Sequence, residues 1–140
     1  MKYFVRSNQY RASNVYFDVA TREAFSYSWW KFFAVIEGRN IFNHYSYSNS
    51  TCKHQNKVRS LLRKLGIEID LSIEAPKGLQ NLSHAKDWNE QQLPYYLEKE
   101  KRARKDHSRN YWNSRAREAQ DAINFIKSLP NPRAKESEAA

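Results

Sequence analysis

Apolar residues recur along this chain in two different rhythms, and one later stretch has almost none. Up to residue 47 they come in short runs rich in aromatic and β-branched residues, broken by Ser-Asn, Thr-Arg-Glu and Gly38-Arg39. Such runs predict strands at Tyr3 to Arg6, Asn14 to Ala20, Ala24 to Trp30, Lys31 to Glu37 and Asn40 to Tyr47, arranged as an antiparallel meander. The boundary at Trp30-Lys31 is open, since Ala24 to Glu37 also suits one long bent strand. Glu37-Gly38-Arg39-Asn40 is the clearest hairpin turn, because Gly38 can take the positive φ that tight hairpins require.

The rhythm then changes. Val58, Leu61, Leu62 and Leu65 follow the i, i+3, i+4, i+7 spacing of one buried helical stripe. Ser48, Asn49, Ser50 and Thr51 all suit an N-cap, and Gly66 suits the residue just past the C-cap, so the spacing predicts a helix over about Cys52 to Leu65. After Gly66, Ile67, Ile69, Leu71 and Ile73 alternate with Glu68, Asp70, Ser72 and Glu74, which predicts a half-buried strand joining the meander. Ala75-Pro76-Lys77-Gly78 then reads as a β-turn.

Ser83 to Gln92 is polar, with Trp88 as its one large anchor. Pro94 suits the first position of a helix running to about Leu129, as one helix or two collinear ones, ended by Pro130-Asn131-Pro132. A seam at Trp112, Ala116, Ala119, Ile123 and Ile126 docks this segment on the chain's own sheet or on a second copy. Between Glu98 and Asn110 only Ala103 is apolar. That part either projects into solvent, supported by pairs such as Glu98 with Arg102 and Glu100 with Arg104, or lies against a partner. The expected fold is α+β: an antiparallel β-meander packed on one amphipathic helix, with a long basic C-terminal helical arm. Its divisions are a globular domain at 1–82, the arm at 83–129 and a disordered tail at 130–140.

Charge adds a class of partner. Of 140 residues, 24 are Lys or Arg and 15 Asp or Glu, a net charge of +9 that favours nucleic acid, an anionic surface or an acidic protein. The cations are clustered. Lys53, Lys57, Arg59, Arg63 and Lys64 fall opposite the apolar stripe of the central helix, in a segment with no acid, and Lys77 sits at the tip of the turn. Lys101, Arg102, Arg104, Lys105, Arg109 and Arg115 crowd the arm beside Tyr111, with Lys99 and Arg117 among them. These residues are the expected phosphate contacts, although Lys and Arg also serve simply to solvate helix surfaces. Fourteen of the twenty aromatic residues precede Ser48. They form either core and core rim or a stacking platform for unpaired bases, with Tyr10, Tyr16, Tyr45 and Tyr47 the first rings to suspect.

Chemical signatures are sparse. Cys52 is the only cysteine, so the fold does not depend on an internal disulfide. Cys52 and His54 lie two apart on a helix and point nearly opposite ways, which makes His54 a packed or capping histidine and not a catalytic base. Asp18, Glu37, His44 and Asp70 match no metal-ligand or triad spacing. No catalytic residue, metal or cofactor is expected. Neither a secretion signal nor a run of 18 apolar residues occurs, so a cytoplasmic protein without a membrane span is expected.

The runs Tyr45-Ser46-Tyr47-Ser48, Lys53-His54-Gln55-Asn56-Lys57-Val58-Arg59, Leu65-Gly66-Ile67-Glu68-Ile69-Asp70 and Ile73-Glu74-Ala75-Pro76-Lys77-Gly78-Leu79-Gln80 resemble a small domain of unknown function that recurs in tailed-bacteriophage proteins. The resemblance covers about Phe32 to Leu82. It implies a phage origin and a host bacterial cytoplasm, and carries no functional residues with it. The expected function is binding of nucleic acid, RNA or a ribonucleoprotein foremost, by a small basic accessory protein. The alternative is a protein that binds and modulates a host complex in defence or gene expression.

Overall fold

The computed structural model describes residues 3–6, 9–12, 14–27 and 29–129, with side chains described from residue 14 onward. Among these residues it forms strands β1 (Tyr3–Arg6), β2 (Gln9–Ala12), β3 (Val15–Asp18), β4 (Glu23–Ser26), β5 (Trp30–Ile36), β6 (Arg39–Asn43) and β7 (Leu71–Ile73). The helices are α1 (Asn49–Lys64), between β6 and β7, and then α2 (Leu82–Arg102) and α3 (Asp106–Ser128). The expected tail at 130–140 lies outside the described residues.

All strands join one sheet in chain order, antiparallel from β1 to β6, so the meander is present. It contains β2, a strand not expected from the sequence because Gln9 and Arg11 leave no apolar run there. The expected strand Asn14 to Ala20 stops at Asp18, whose Oδ1 accepts from the backbone N–H groups of Ala20 and Thr21 and turns the chain. The β5–β6 hairpin has a two-residue loop, Glu37-Gly38, with φ of 52° and 76°. Positive φ at both positions is the primed turn whose twist matches the flanking strands.

One irregularity decides which rings are inside. Ala24 pairs with Phe33 but Phe25 pairs with Lys31, so β5 carries one extra residue at Phe32. Such a bulge breaks the alternation of faces. It lets Trp30, Phe32 and Phe33 join Val15, Phe17 and Phe42 in one core against Val58, Leu61 and Leu62 of α1. Each fully buried Phe contributes about 1.5–3 kcal/mol.

α1 is fixed at both ends. Ser48 Oγ accepts from Thr51 N–H at 3.2 Å. Past the C-cap Leu65, Gly66 at φ 71° donates to Arg63 O and Ile67 N–H donates to Leu62 O, a complete Schellman motif. Sequence spacing placed this helix except for its first turn and for Leu65, expected in the buried stripe but exposed as the C-cap.

The run from Ile67 to Glu74 departs from expectation. Only Leu71–Ile73 forms a strand, and it pairs parallel with β6, with α1 as the crossover. Ile41 on β6 faces the opposite side from Phe42. With Ala34 and Ile73 it packs on Leu82 and Ala85 of α2 and on Ala122, Phe125 and Ile126 of α3. The sheet is therefore covered on both faces, by α1 on one and by α2 and α3 on the other.

The C-terminal helical segment is two helices folded against each other, not collinear. α2 begins at Leu82, capped by Asn81 Oδ1 accepting from His84 N–H, and Pro94 lies inside it. A mid-helix proline costs about 3 kcal/mol in an isolated helix. Here the helix runs through it because Leu82, Ala85, Asn89 and Tyr96, spaced by threes, fours and sevens, are buried along one side. At Ala103 the backbone turns extended, and α3 returns after Lys105. The seam at Trp112, Ala116 and Ala119 meets Leu93 and Tyr96 of α2, and its continuation docks on the chain's own sheet.

Candidate nucleic-acid interface

The outward face of α1 is built by default: the apolar stripe is turned into the sheet, so everything opposite it faces solvent. Lys53, Lys57, Arg63 and Lys64 are exposed. At 100° per residue Lys53, Lys57 and Lys64 fall within about 40° of one another, along about 16 Å of axis. Among the described residues no carboxylate lies within ion-pair distance of these four. Arg59 is half-buried, its guanidinium 4.3 Å above the Phe42 ring and bonded to Asn56 Oδ1. Burial, and after it the neighbouring Arg63, lower its pKa. Arg63 and Lys64 sit in the last turn, where cations also stabilise the helix dipole. Lys53 lies in the N-terminal half and Lys57 at mid-helix, neither in the last turn, so the helix dipole does not account for them.

The second cluster surrounds the α2–α3 connection. Lys101, Arg102, Arg104, Lys105 and Arg109 are all exposed there. Arg102 pairs with Glu98 as expected, and Arg109 with Asp106 and the Ala103 carbonyl. The expected pair of Glu100 with Arg104 does not form, because the helix ends at Arg102 and Arg104 leaves the helical register. Glu100 instead accepts from Asn113 Nδ2 across the hairpin. Lys77 is exposed in its turn, which closes through Gly78 N–H to Ala75 O.

Arg115 departs from the other expected contacts. It points inward to Glu74, which is 5% exposed, and bonds its carboxylate. That carboxylate also accepts from Tyr96 Oη at 2.7 Å and Trp88 Nε1 at 3.1 Å. Burial works against the Arg115 charge, but the Tyr96 hydrogen bond and Glu74 raise its pKa overall. Burial pushes Tyr96 up to about 12. Beside this group His44 Nε2 stands 3.5 Å from Glu118 Oε2. Burial lowers the His44 pKa to about 4, with Arg115 and Arg59 adding to the shift and Glu74 opposing it. Burial raises the pKa of Glu118. This node ties the end of β7 to α2 and α3.

The sequence reading missed Glu74 and Tyr96. Strand alternation put Glu74 on the solvent side, but β7 ends at Ile73, and Glu74 turns to Trp88 and Tyr96 of α2 and Arg115 of α3, the helices that also bury Ile73. Asp18 is occupied in its own turn, Asp70 binds Asn40 N–H, Glu37 occupies the β5–β6 loop, and His44 faces Glu118. His54 is the packed histidine expected, with Nδ1 2.7 Å from Ser26 Oγ.

Of the suspected rings, Tyr16 bonds Asp18, Tyr45 packs edge-on against Trp88, and the Tyr10 side chain lies outside the described residues. Tyr47 is 56% exposed, and its neighbour Trp29, not singled out from sequence, is 52% exposed. The signal for Trp29 is the Trp-Trp pair at the entry of β5: only one of the two rings can follow the core face. Tyr95 and Tyr111 are exposed on the helical hairpin, either side of Trp112.

No helix among the described residues is long and apolar enough to cross a membrane. No family model matches the chain, and no curated protein and no solved structure is significantly similar to it.

Proposed function

We propose that the protein binds nucleic acid, with RNA or a ribonucleoprotein favoured, through phosphate contacts from α1 and from the α2–α3 connection. The observation that carries this reading is the acid-free outward face of α1: Lys53, Lys57, Arg63 and Lys64 are exposed and unneutralised by any described carboxylate. Lys101, Arg104 and Lys105 extend the set. The resemblance to a phage domain supports a small accessory protein working in a bacterial cytoplasm.

A fluorescence-anisotropy titration against salt tests it. Affinity should fall steeply, and each Ala replacement of Lys53, Lys57 or Lys64 should reduce the log–log slope by about 0.7–0.9. Replacing Arg102, Arg104 and Arg109 together tests the hairpin contribution. Absent or salt-insensitive binding would refute the proposal. The exposed Tyr95, Leu97 and Tyr111 beside Lys99 favour a second reading, a protein that docks on an acidic host surface. A stoichiometric protein partner that survives nuclease treatment of a host lysate would support it.

A further inference from the structure

Three rings crowd the N-terminal half of α1. Trp29, immediately before β5, is 52% exposed and stands edge-on to Tyr47, with ring centroids 6.2 Å apart. Tyr47, 56% exposed, directly precedes the N-cap Ser48. Tyr27 at the end of β4 is 44% exposed, and its ring is 5.3 Å from His54, between Lys53 and Lys57. With Trp30 on the core face position 29 points outward, but nothing among the described residues requires an aromatic ring there. The Trp29 backbone is what the fold uses, with Gln80 Nε2 donating to Trp29 O at 2.9 Å. Trp30 is the ring taken into the core, with its Nε1 donating to Pro76 O.

A cationic stripe alone serves any phosphate backbone, duplex or single strand. Exposed π faces at the start of the stripe serve only bases that are not already stacked on a neighbour within a duplex. We infer that the ligand of the α1 face is single-stranded nucleic acid, with unpaired bases stacking on Trp29 and Tyr47 while Lys53 and Lys57 hold the adjoining phosphates. The inference rests on the nucleic-acid reading above and narrows it to a ligand class. Rings are sequence-tolerant platforms, so little base preference is expected.

The two kinds of contact have different signatures. Removing a cation changes the salt slope, whereas removing a ring lowers affinity at every salt concentration and leaves the slope alone. The test is a set of salt titrations with short oligouridylate, short oligothymidylate and a mixed-sequence duplex, on the wild type, Trp29→Leu, Trp29→Phe, Tyr47→Leu and Lys57→Ala. Leu keeps bulk without a π face, and Phe keeps the face. Trp29→Leu and Tyr47→Leu should each weaken single-strand binding roughly 5- to 150-fold with an unchanged slope. Trp29→Phe should retain most of the affinity. Single strands should quench the fluorescence component that the wild type has and Trp29→Phe lacks.

If either Leu variant unfolds, as read by circular dichroism, the other variant and the quenching still decide. Duplex binding as tight as single-strand binding, or single-strand binding indifferent to both rings, would overturn the inference while leaving the nucleic-acid proposal standing. Absence of binding to all three ligands would overturn both.

Discussion

Arg115→Met is the substitution whose outcome the structure constrains most. It keeps an unbranched side chain of similar reach but leaves the Glu74 carboxylate, 5% exposed, with only neutral donors, Tyr96 Oη and Trp88 Nε1. Removing one partner of a buried ion pair costs about 3–5 kcal/mol. The Arg115 side chain is 28% exposed, so water relieves part of this and the lower end applies. The guanidinium also lies 5.2 Å from the Tyr96 ring centre and 5.8 Å from that of Tyr111, a cation–π contribution of about 0.5–1 kcal/mol. A loss of about 3 kcal/mol is expected, read by urea denaturation at neutral pH as a lower midpoint with an unchanged m-value. Glu74→Gln should cost less, about 1–3 kcal/mol, because an amide oxygen still accepts from Tyr96. The double variant should be more stable than the sum of the two losses, since neither leaves an unpaired charge when both are made. A loss under about 0.5 kcal/mol for Arg115→Met, the range of ordinary surface changes, would refute the node as a tie between β7 and the two helices. Its nucleic-acid affinity at matched folded concentration should match the wild type, unlike that of Lys57→Ala.

Gly78→Ala should destabilise by about 1–3 kcal/mol in the same denaturation assay. The residue has φ 85°, and an added Cβ would lie 2.2 Å from Gln80 Oε1, displacing the side chain that bonds Lys31 N–H and Trp29 O. Gly66→Ala meets nothing within 4 Å and should cost only the αL strain, about 1 kcal/mol, so equal losses at the two positions would contradict the role given to Gln80. His44 should make stability pH-dependent. Its folded pKa of about 4 lies below the ordinary 6.5, so the unfolded chain takes up the proton first, and stability present above pH 6.5 is lost as pH falls toward 4. Glu118, whose pKa is raised, acts in the opposite sense as acid neutralises it, so the comparison to make is wild type against His44→Gln across that window. Identical pH profiles for the two would show that His44 is not held neutral by its burial.

What could be read from the sequence was what depends on neighbours along the chain. Ser48 as cap, the Val58 to Leu62 stripe, Gly66 past the C-cap, the Gly38 hairpin and the 75–78 turn are all local devices, and all stand where spacing put them. The misreadings arise where a distant element intervenes. A one-residue bulge opposite Ala24 and Phe25 moves two successive phenylalanines to one face, which no periodicity encodes. The eight-residue alternation from Ile67 suggests a half-exposed strand, yet the strand ends at Ile73, and α2 and α3 bury Glu74 together with Ile73. The break at Ala103 carries no glycine or proline, because it is set by where the apolar seam resumes at Trp112 and not by a turn residue. The basic faces were legible because charge needs no fold to be counted. Which cations are free to act was not, as Arg115 shows.

The same folding logic divides the helical hairpin into two parts with different uses. Its base is committed: Leu82, Ala85, Ala122 and Phe125 share a core with β5, β6 and β7, and Glu74 reaches both helices. Beyond Tyr96 on α2 and before Ala116 on α3, by contrast, no described residue is fully buried, and Asn113 to Glu100 and Arg109 to Ala103 O are bonds that cross the hairpin there. Arg102 and Arg109 are paired there and Lys101 sits in the last turn of α2, but Arg104 and Lys105 lie in the connection, with Lys105 at the N-cap of α3, where a cation opposes the helix dipole. Cations left without a described carboxylate at Lys53 and Lys57 on α1 and at Arg104 and Lys105 on the tip are what selection for the proposed anionic ligand would leave. The two surfaces also differ in kind. If the proposed ligand is right, α1 would set register with a stripe held by a capped helix, and the tip, supported by few buried residues, would follow a backbone whose path varies.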